Sequence, residues 1–335
     1  MAVITIYDVA REAGVSISTV SNALNRPHKV GPGTRERVLE TADRLGYVPK
    51  PEAAVLARRS IRRVAVFAPF TSYDSYLRRL SGVLQGAHAA GTEVAVFDIA
   101  SAAQVASPVL SSIPLQARFD GLIVMGIALD PVVEQRLVDR DVPVVVVDAP
   151  SDRFPALVVD DRRAGALAAE HLVGLGHRRI SYLSQQVSAV EGLPEAFRES
   201  GYTAAMTAHG LRPDVVGTTW SQQGGADAAR RLLRRRHRPT AVHGGADVAA
   251  LGLLDLLRGR GLAVPGDVSV AGCDNTPVAA MAPIGMTSVE QDALGMGRRA
   301  ARLLVERIGA RQPGRHFLHP PSLVVRGTTG APPHG

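Results

Sequence analysis

Thr5-Ile6-Tyr7-Asp8-Val9-Ala10-Arg11-Glu12-Ala13-Gly14-Val15-Ser16-Ile17-Ser18-Thr19-Val20-Ser21-Asn22-Ala23-Leu24 is the stretch whose reading decides the architecture of this chain. Thr5 is suited to cap a helix, with Asp8 three residues on in a capping-box position. Ile6, Val9, Ala10 and Ala13 recur at i, i+3, i+4 and i+7, so the first helix carries one apolar face. Gly14 breaks that helix, Val15 plugs the space between two helices, and Ser16 caps the next. In the second helix Val20, Ala23 and Leu24 face inward, which leaves Ile17, Ser18, Ser21 and Asn22 outside. Pro32 opens a third helix with Val38, Leu39, Ala42 and Leu45 on its inner side, and Gly46 ends it.

Charge concentrates in this head. Residues 1–63 hold eleven lysines and arginines against six acids, a net of +5 out of +7 for all 335 residues. A basic head on a nearly neutral body points to a polyanionic partner for the head alone, a solvated charged surface being the alternative. Two short helices joined by a Gly-containing turn and followed by a third form the arrangement that lays its second helix in the DNA major groove.

The strings Thr5-Ile6-Tyr7-Asp8-Val9-Ala10, Ala13-Gly14-Val15-Ser16 and Ser18-Thr19-Val20-Ser21 closely resemble the head of the LacI/GalR family of bacterial transcription regulators. Val30, Thr34, Arg35, Val38 and Gly46-Tyr47-Val48-Pro49 continue the likeness. The resemblance implies that Ile17, Ser18 and Asn22 touch base edges, while Tyr7, Ser16, Thr19, Ser21, Asn25 and Thr34 bond phosphates and fix the register. Asn22 stands where the family often has Arg, and an amide matches adenine where Arg prefers guanine. For Tyr7 a packing role with its hydroxyl in water is the alternative.

After the head come Lys50-Pro51-Glu52 and Ala53-Ala54-Val55-Leu56-Ala57, a segment of marginal helical length in water. The resemblance implies a hinge helix that orders on DNA and inserts Leu56 as a wedge into the minor groove. Lys50 and Ala54 depart from the residues common there, and covering the core is the alternative for Leu56.

From Arg63 onward continuous apolar runs alternate with helical stretches: Val64–Phe67, Val94–Phe97, Gly121–Met125, Val142–Val147, Ile180–Leu183, Thr240–Val242 and Val268–Ala271. Such runs are buried on both faces, so they predict parallel sheets in an α/β core of two lobes with a cleft between them. Ala168-Ala169-Glu170-His171-Leu172, Leu175–Ile180, Pro265–Asn275 and Thr287–Gln291 resemble the same family's core, which is similar to periplasmic sugar-binding proteins. That likeness implies effector contacts by Asp274 and Arg198, with Trp220, Asp148, Gln291 and Tyr76 as further candidates. Packing is the alternative for Trp220, loop capping for Asp274. Ala246 replaces an Asn frequent in the family.

The expected organisation is therefore a helix-turn-helix domain at 1–49, hinge helix and linker at 50–62, a ligand-sensing core at 63–330 and a tail at 331–335. The expected protein is a cytoplasmic homodimeric repressor, not an enzyme, binding a near-palindromic double-stranded DNA operator under control of a sugar-like effector. No cofactor or metal is expected: Cys273 is the one cysteine, and His316 and His319 lack further ligands at metal spacing. Neither a signal peptide nor a membrane span is evident. Gly295-Met296-Gly297-Arg298-Arg299-Ala300 fits G-x-G-x-x-A but comes after no strand, which argues against a dinucleotide site. Asp160-Asp161 reads as helix capping, and Arg230-Arg231 with Arg234-Arg235-Arg236 as a solvated face. The competing readings are a solute-binding protein, which leaves residues 5–57 unexplained, and a sugar- or nucleoside-acting α/β enzyme, for which no nucleophile–base pair is recognisable.

Overall fold

In the computed structural model, which describes residues 4–25, 29–45, 47, 62–71, 74–99, 119–185, 194–309 and 316–333, the chain forms two compact units, residues 1–62 and 63–335. The backbone N–H of Thr5 donates to Asp8 Oδ2 at 2.9 Å, half of the reciprocal cap that starts α1 (Ile6–Ala13). Gly14 comes next with φ 65°, a left-handed conformation natural to glycine. Ser16 Oγ then accepts the Thr19 N–H at 3.1 Å and opens α2 (Ile17–Asn25), and α3 (Pro32–Leu45) completes the head. Val9, Ala10, Ala13, Val20, Ala23, Val38 and Ala42 form its buried core. That core is small, about the least that can hold three helices together. The hinge segment, including Lys50, Ala54 and Leu56, lies outside the described residues, as do Gly46 and residues 48–49.

The larger unit runs β1 (Arg62–Ala68), α4 (Asp74–Ala89), β2 (Thr92–Asp98), β3 (Gly121–Met125), α5 (Pro131–Asp139), β4 (Val144–Val147) and β5 (Ala156–Val159). It continues with α6 (Asp161–Gly174), β6 (Ile180–Gln185), α7 (Pro194–Ala208), β7 (Asp214–Thr218), α8 (Gln222–Leu233), β8 (Ala241–Gly244) and α9 (Asp247–Gly259). It ends with β9 (Ser269–Cys273), α10 (Pro277–Ala280), β10 (Thr287–Glu290), α11 (Ala293–Gly309), β11 (His316–His319) and β12 (Ser322–Val324). Two sheets result, in the orders β11-β5-β4-β3-β1-β2 and β12-β10-β9-β8-β6-β7. The pairs β1–β3, β3–β4, β4–β5, β6–β8 and β8–β9 are parallel, whereas β10–β12 is antiparallel. The expected two parallel-sheet lobes are present. All four valines of β4 are buried, as a strand covered on both faces requires.

The chain passes between lobes at β5 to α6, at β10 to α11 and at β11 to β12, since α6 packs in the second lobe's core and α11 in the first's. Three helix pairs approach so closely that each needs a glycine on both members. A Cβ on Gly297 would strike the carbonyl oxygen of Arg79, and one on Gly82 that of Leu294. Gly165 and Gly201 meet the backbones of Arg198 and Arg162, and Gly225 and Gly252 those of Ala249 and Gln222. The G-x-G-x-x-A string is thus explained by helix packing within α11.

The Gly165 contact fixes how near α7 comes to α6. We expect Gly165→Val to lower the thermal midpoint of the core by forcing the helices apart, an overpacking cost of roughly 1–3 kcal/mol. Gly174→Ala, at a position with nothing within 4 Å, is the matched control and should be neutral or slightly stabilising. Equal midpoints for the Gly165 variant and wild type would show that this contact is not limiting.

Candidate functional site

Burial of Val20 and Ala23 turns the other side of α2 to solvent. Ile17 is 40% exposed and Tyr7 62%, unusual for large apolar side chains. Ser18 is exposed, and Asn22, Ser21, Thr19 and Thr34 are half-buried. Ser16 Oγ lies 2.8 Å from both Ser18 Oγ and Thr19 Oγ1, so three hydroxyls cluster at the α2 N-terminus. There the helix dipole and unpaired amide N–H groups favour an anion such as a phosphate. The side chain of Asn25 lies outside the described residues.

A cleft of about 390 Å³ opens between the two lobes. Its wall is built from residues just past the strand C-termini: Ser75, Tyr76, Arg78 and Arg79 after β1, Gly126 after β3 and Asp148 after β4. The second lobe adds Glu195 and Arg198 after β6, Trp220 after β7, Ala246 after β8 and Asp274 after β9. Parallel α/β sheets bind ligands at this end, beside the point where strand order reverses, which here falls between β1 and β3 and between β6 and β8. Asp148 (φ 53°), Asp274 (φ 111°) and Asn275 (φ 45°) adopt left-handed backbones that β-carbon-bearing residues seldom hold. Strain of this kind at strand ends persists where surrounding contacts enforce it.

Those contacts are charged. Arg79, 1% exposed, pairs with Asp148 at 2.6 Å and donates to Gln291 Oε1 at 2.8 Å. Gln291 donates in turn to Asp274 Oδ1 at 3.0 Å, so it joins the lobes from behind the cleft wall. Arg198 pairs with Asp161 at 2.7 Å, donates to the Gly245 carbonyl at 3.0 Å and reaches Asp274 at 3.8 Å. Its guanidinium stacks 5.4 Å from the Trp220 ring centroid. Arg78 crosses from α4 to the carbonyls of Asp274 and Asn275 at 3.0 and 2.7 Å and to Glu290 at 3.3 Å.

Of the residues singled out in the sequence, Asp274, Arg198, Asp148, Trp220 and Tyr76 converge on the cleft. Arg78, Arg79 and Glu195, which sequence reasoning missed, join them there. A signal for Arg79 existed: it lies on the helical face of Tyr76, Val83 and Ala87, all buried, where a solvated charge has no place. The Asp160-Asp161 reading needs correction in its second half. Asp160 does cap α6, accepting the Arg163 N–H at 2.9 Å. Asp161 instead turns inward to Arg198, because the first helical residue after a cap points back towards the strand end.

Burial pushes the Asp161 carboxyl up to about 6 against the pull of Arg198, and burial likewise raises Asp274 and the Tyr76 hydroxyl. His243, buried beside Arg198, is held down at about 3 and stays neutral. An acid raised on folding favours the folded state only while protonated, so its contribution is lost as pH climbs from the unfolded to the folded value. We therefore expect the stability of wild type relative to Asp161→Asn to fall between about pH 4 and about pH 6 and to be flat above, as read by urea denaturation across that window. A difference that rises with pH there would mean that the Arg198 pair outweighs burial.

A three-helix head with an exposed polar helix face, carried by a chain whose other unit is a two-lobed ligand-cleft core, defines a DNA-binding regulator. The head, residues 5–50, matches the model for bacterial regulatory proteins of the lacI family, and residues 169–329 match a periplasmic binding protein-like domain. Catabolite control protein A of Priestia megaterium is 32% identical over 308 residues, 90% of this chain and 92% of that protein. The chain belongs to the LacI family of transcription regulators. Among solved structures, the regulator CelR in complex with cellobiose aligns with a TM-score of 0.69 and 29% identity, covering 97% of this chain and 99% of the other. The Lac repressor dimer bound to operator and the anti-inducer ONPF aligns with a TM-score of 0.73 and 27% identity, covering 98% and 100%.

Proposed function

We propose that this protein is a homodimeric repressor whose hold on a near-palindromic operator is set by a small hydroxyl-rich effector in the inter-lobe cleft. The observation that carries it is the convergence of Asp148, Arg198, Trp220 and Asp274 on one cleft in a chain whose α2 offers Ile17 and Ser18 to solvent. Structures of relatives with cellobiose bound, and of a repressor dimer on its operator, support both halves. The work divides among a DNA-binding domain (1–49), a hinge (50–62), a sensing core (63–330) and a short tail (331–335). Ile17, Ser18 and Asn22 read bases; Tyr7, Ser16, Thr19, Ser21, Asn25 and Thr34 hold phosphates; Leu56 wedges the minor groove. Asp274, Arg198, Asp148, Trp220 and Tyr76 hold the effector, with Gln291 fixing Asp274. Binding, not catalysis, is the task, in keeping with relatives that are regulators. Among the described residues no helix is long and apolar enough to cross a membrane.

One recognition helix reads too few base pairs for useful specificity, hence two heads on two half-sites one helical turn apart. Footprinting on fragments flanking the protein's own gene should show paired, symmetric protection. Asn22→Ala should relax discrimination at one base pair per half-site by about 1–3 kcal/mol, whereas Tyr7→Phe should weaken every sequence alike. Protection of a single unrepeated half-site, or uniform loss with Asn22→Ala, would contradict these roles.

A further inference from the structure

The cleft's arginines are already engaged. Arg78 is met by two backbone carbonyls and Glu290, Arg79 by Asp148 and Gln291, and Arg198 by Asp161, Asp274 and the Gly245 carbonyl. Three buried polar atoms on cleft-lining residues have no hydrogen-bond partner among the described residues: Asp148 Oδ1, Glu195 Oε2 and Arg79 Nε. Two accept and one donates. Each such atom left dry costs about 1–3 kcal/mol, so the ligand that answers all three gains most.

We infer that the effector enters this cleft as an uncharged polyhydroxy compound, a free sugar or nucleoside, and that its phosphorylated and amino-substituted forms are rejected. The inference rests on the cleft being the effector site. A hydroxyl donates to Asp148 and Glu195 and accepts from Arg79, so one functional group serves both kinds of orphan. A phosphate only accepts. It would face the unanswered oxygens of Asp148 and Glu195 with Asp274 nearby, and every guanidinium that could neutralise it is committed elsewhere. To bind, it would have to break a buried ion pair, which typically costs about 3–5 kcal/mol. An ammonium can donate to the two carboxylates but leaves Arg79 Nε unpaired, and it stands beside three guanidinium groups. The Trp220 indole supplies the apolar platform against which a sugar ring or a base stacks.

Trp220 is the one tryptophan of the chain, so its fluorescence reports the cleft alone. The full-length protein would be titrated with matched sets: glucose, glucose 6-phosphate and glucosamine; ribose and ribose 5-phosphate; cellobiose; adenosine and its 5′-monophosphate. At least one neutral compound should bind, and its phosphorylated or amino partner should bind roughly tenfold more weakly or not at all. Glu195→Gln, which trades an acceptor for a donor, should lower the affinity for the neutral compound and narrow that gap. Tighter binding of a charged member, or no binding by any neutral one, overturns the inference. A neutral ligand that shifts Trp220 but leaves operator affinity unchanged removes the regulatory reading and keeps this one; a charged ligand that releases DNA does the reverse.

Discussion

Everything in the sensing core turns on charges buried where two parallel sheets end face to face. The strand interiors are apolar, but their C-terminal ends expose carbonyls and loop residues that must be satisfied. Arg79 and Arg198 do this from opposite lobes, through Asp148 and Gln291 on one side and Asp161, Gly245 and Asp274 on the other. Removing one partner of such a pair strands the other in a dry site at a cost of about 3–5 kcal/mol. The network therefore resists piecemeal change. It can be rearranged as a unit by a ligand that offers hydrogen bonds of its own, and this makes it a suitable element for a two-state device.

The lobes are joined by contacts as well as by chain. Arg78 reaches across to the backbone of Asp274 and Asn275, both held at positive φ, and Arg326 donates to Asn275 Oδ1 at 2.6 Å and to the Met286 carbonyl at 2.6 Å. The residue that faces the cleft and the residues that tie the lobes together are thus neighbours on one short turn. A ligand pulling on Asp274 acts on the same backbone that Arg78 grips.

Much of this was legible in the sequence, for physical reasons that differ by element. β4 reads as Val144–Val147 because a strand buried on both faces must be continuously apolar. The head reads from Thr5, Gly14 and Ser16, whose chemistry serves caps and turns and little else. β11 and β12 escaped because edge strands half open to solvent, such as His316–His319, carry no apolar run. Asp274 and Arg198 were found through family strings, whereas Arg79 and Glu195 look like ordinary helix-surface charges until the second lobe is placed over them. Asp161 was missed because its neighbour Asp160 does cap the helix, and sequence spacing does not tell which carboxylate turns inward.

The central claim is that occupancy of the cleft and affinity for DNA are one equilibrium. It is tested by measuring the operator dissociation constant of the full-length dimer at fixed salt, with and without a ligand whose occupancy of the cleft is followed in the same sample through Trp220. Coupling energies of about 1–3 kcal/mol predict a change of roughly 5–150-fold, with release of DNA as the expected direction and an equal change in ligand affinity when operator is bound. A cleft shown to be full while the operator dissociation constant stays where it was would contradict the account.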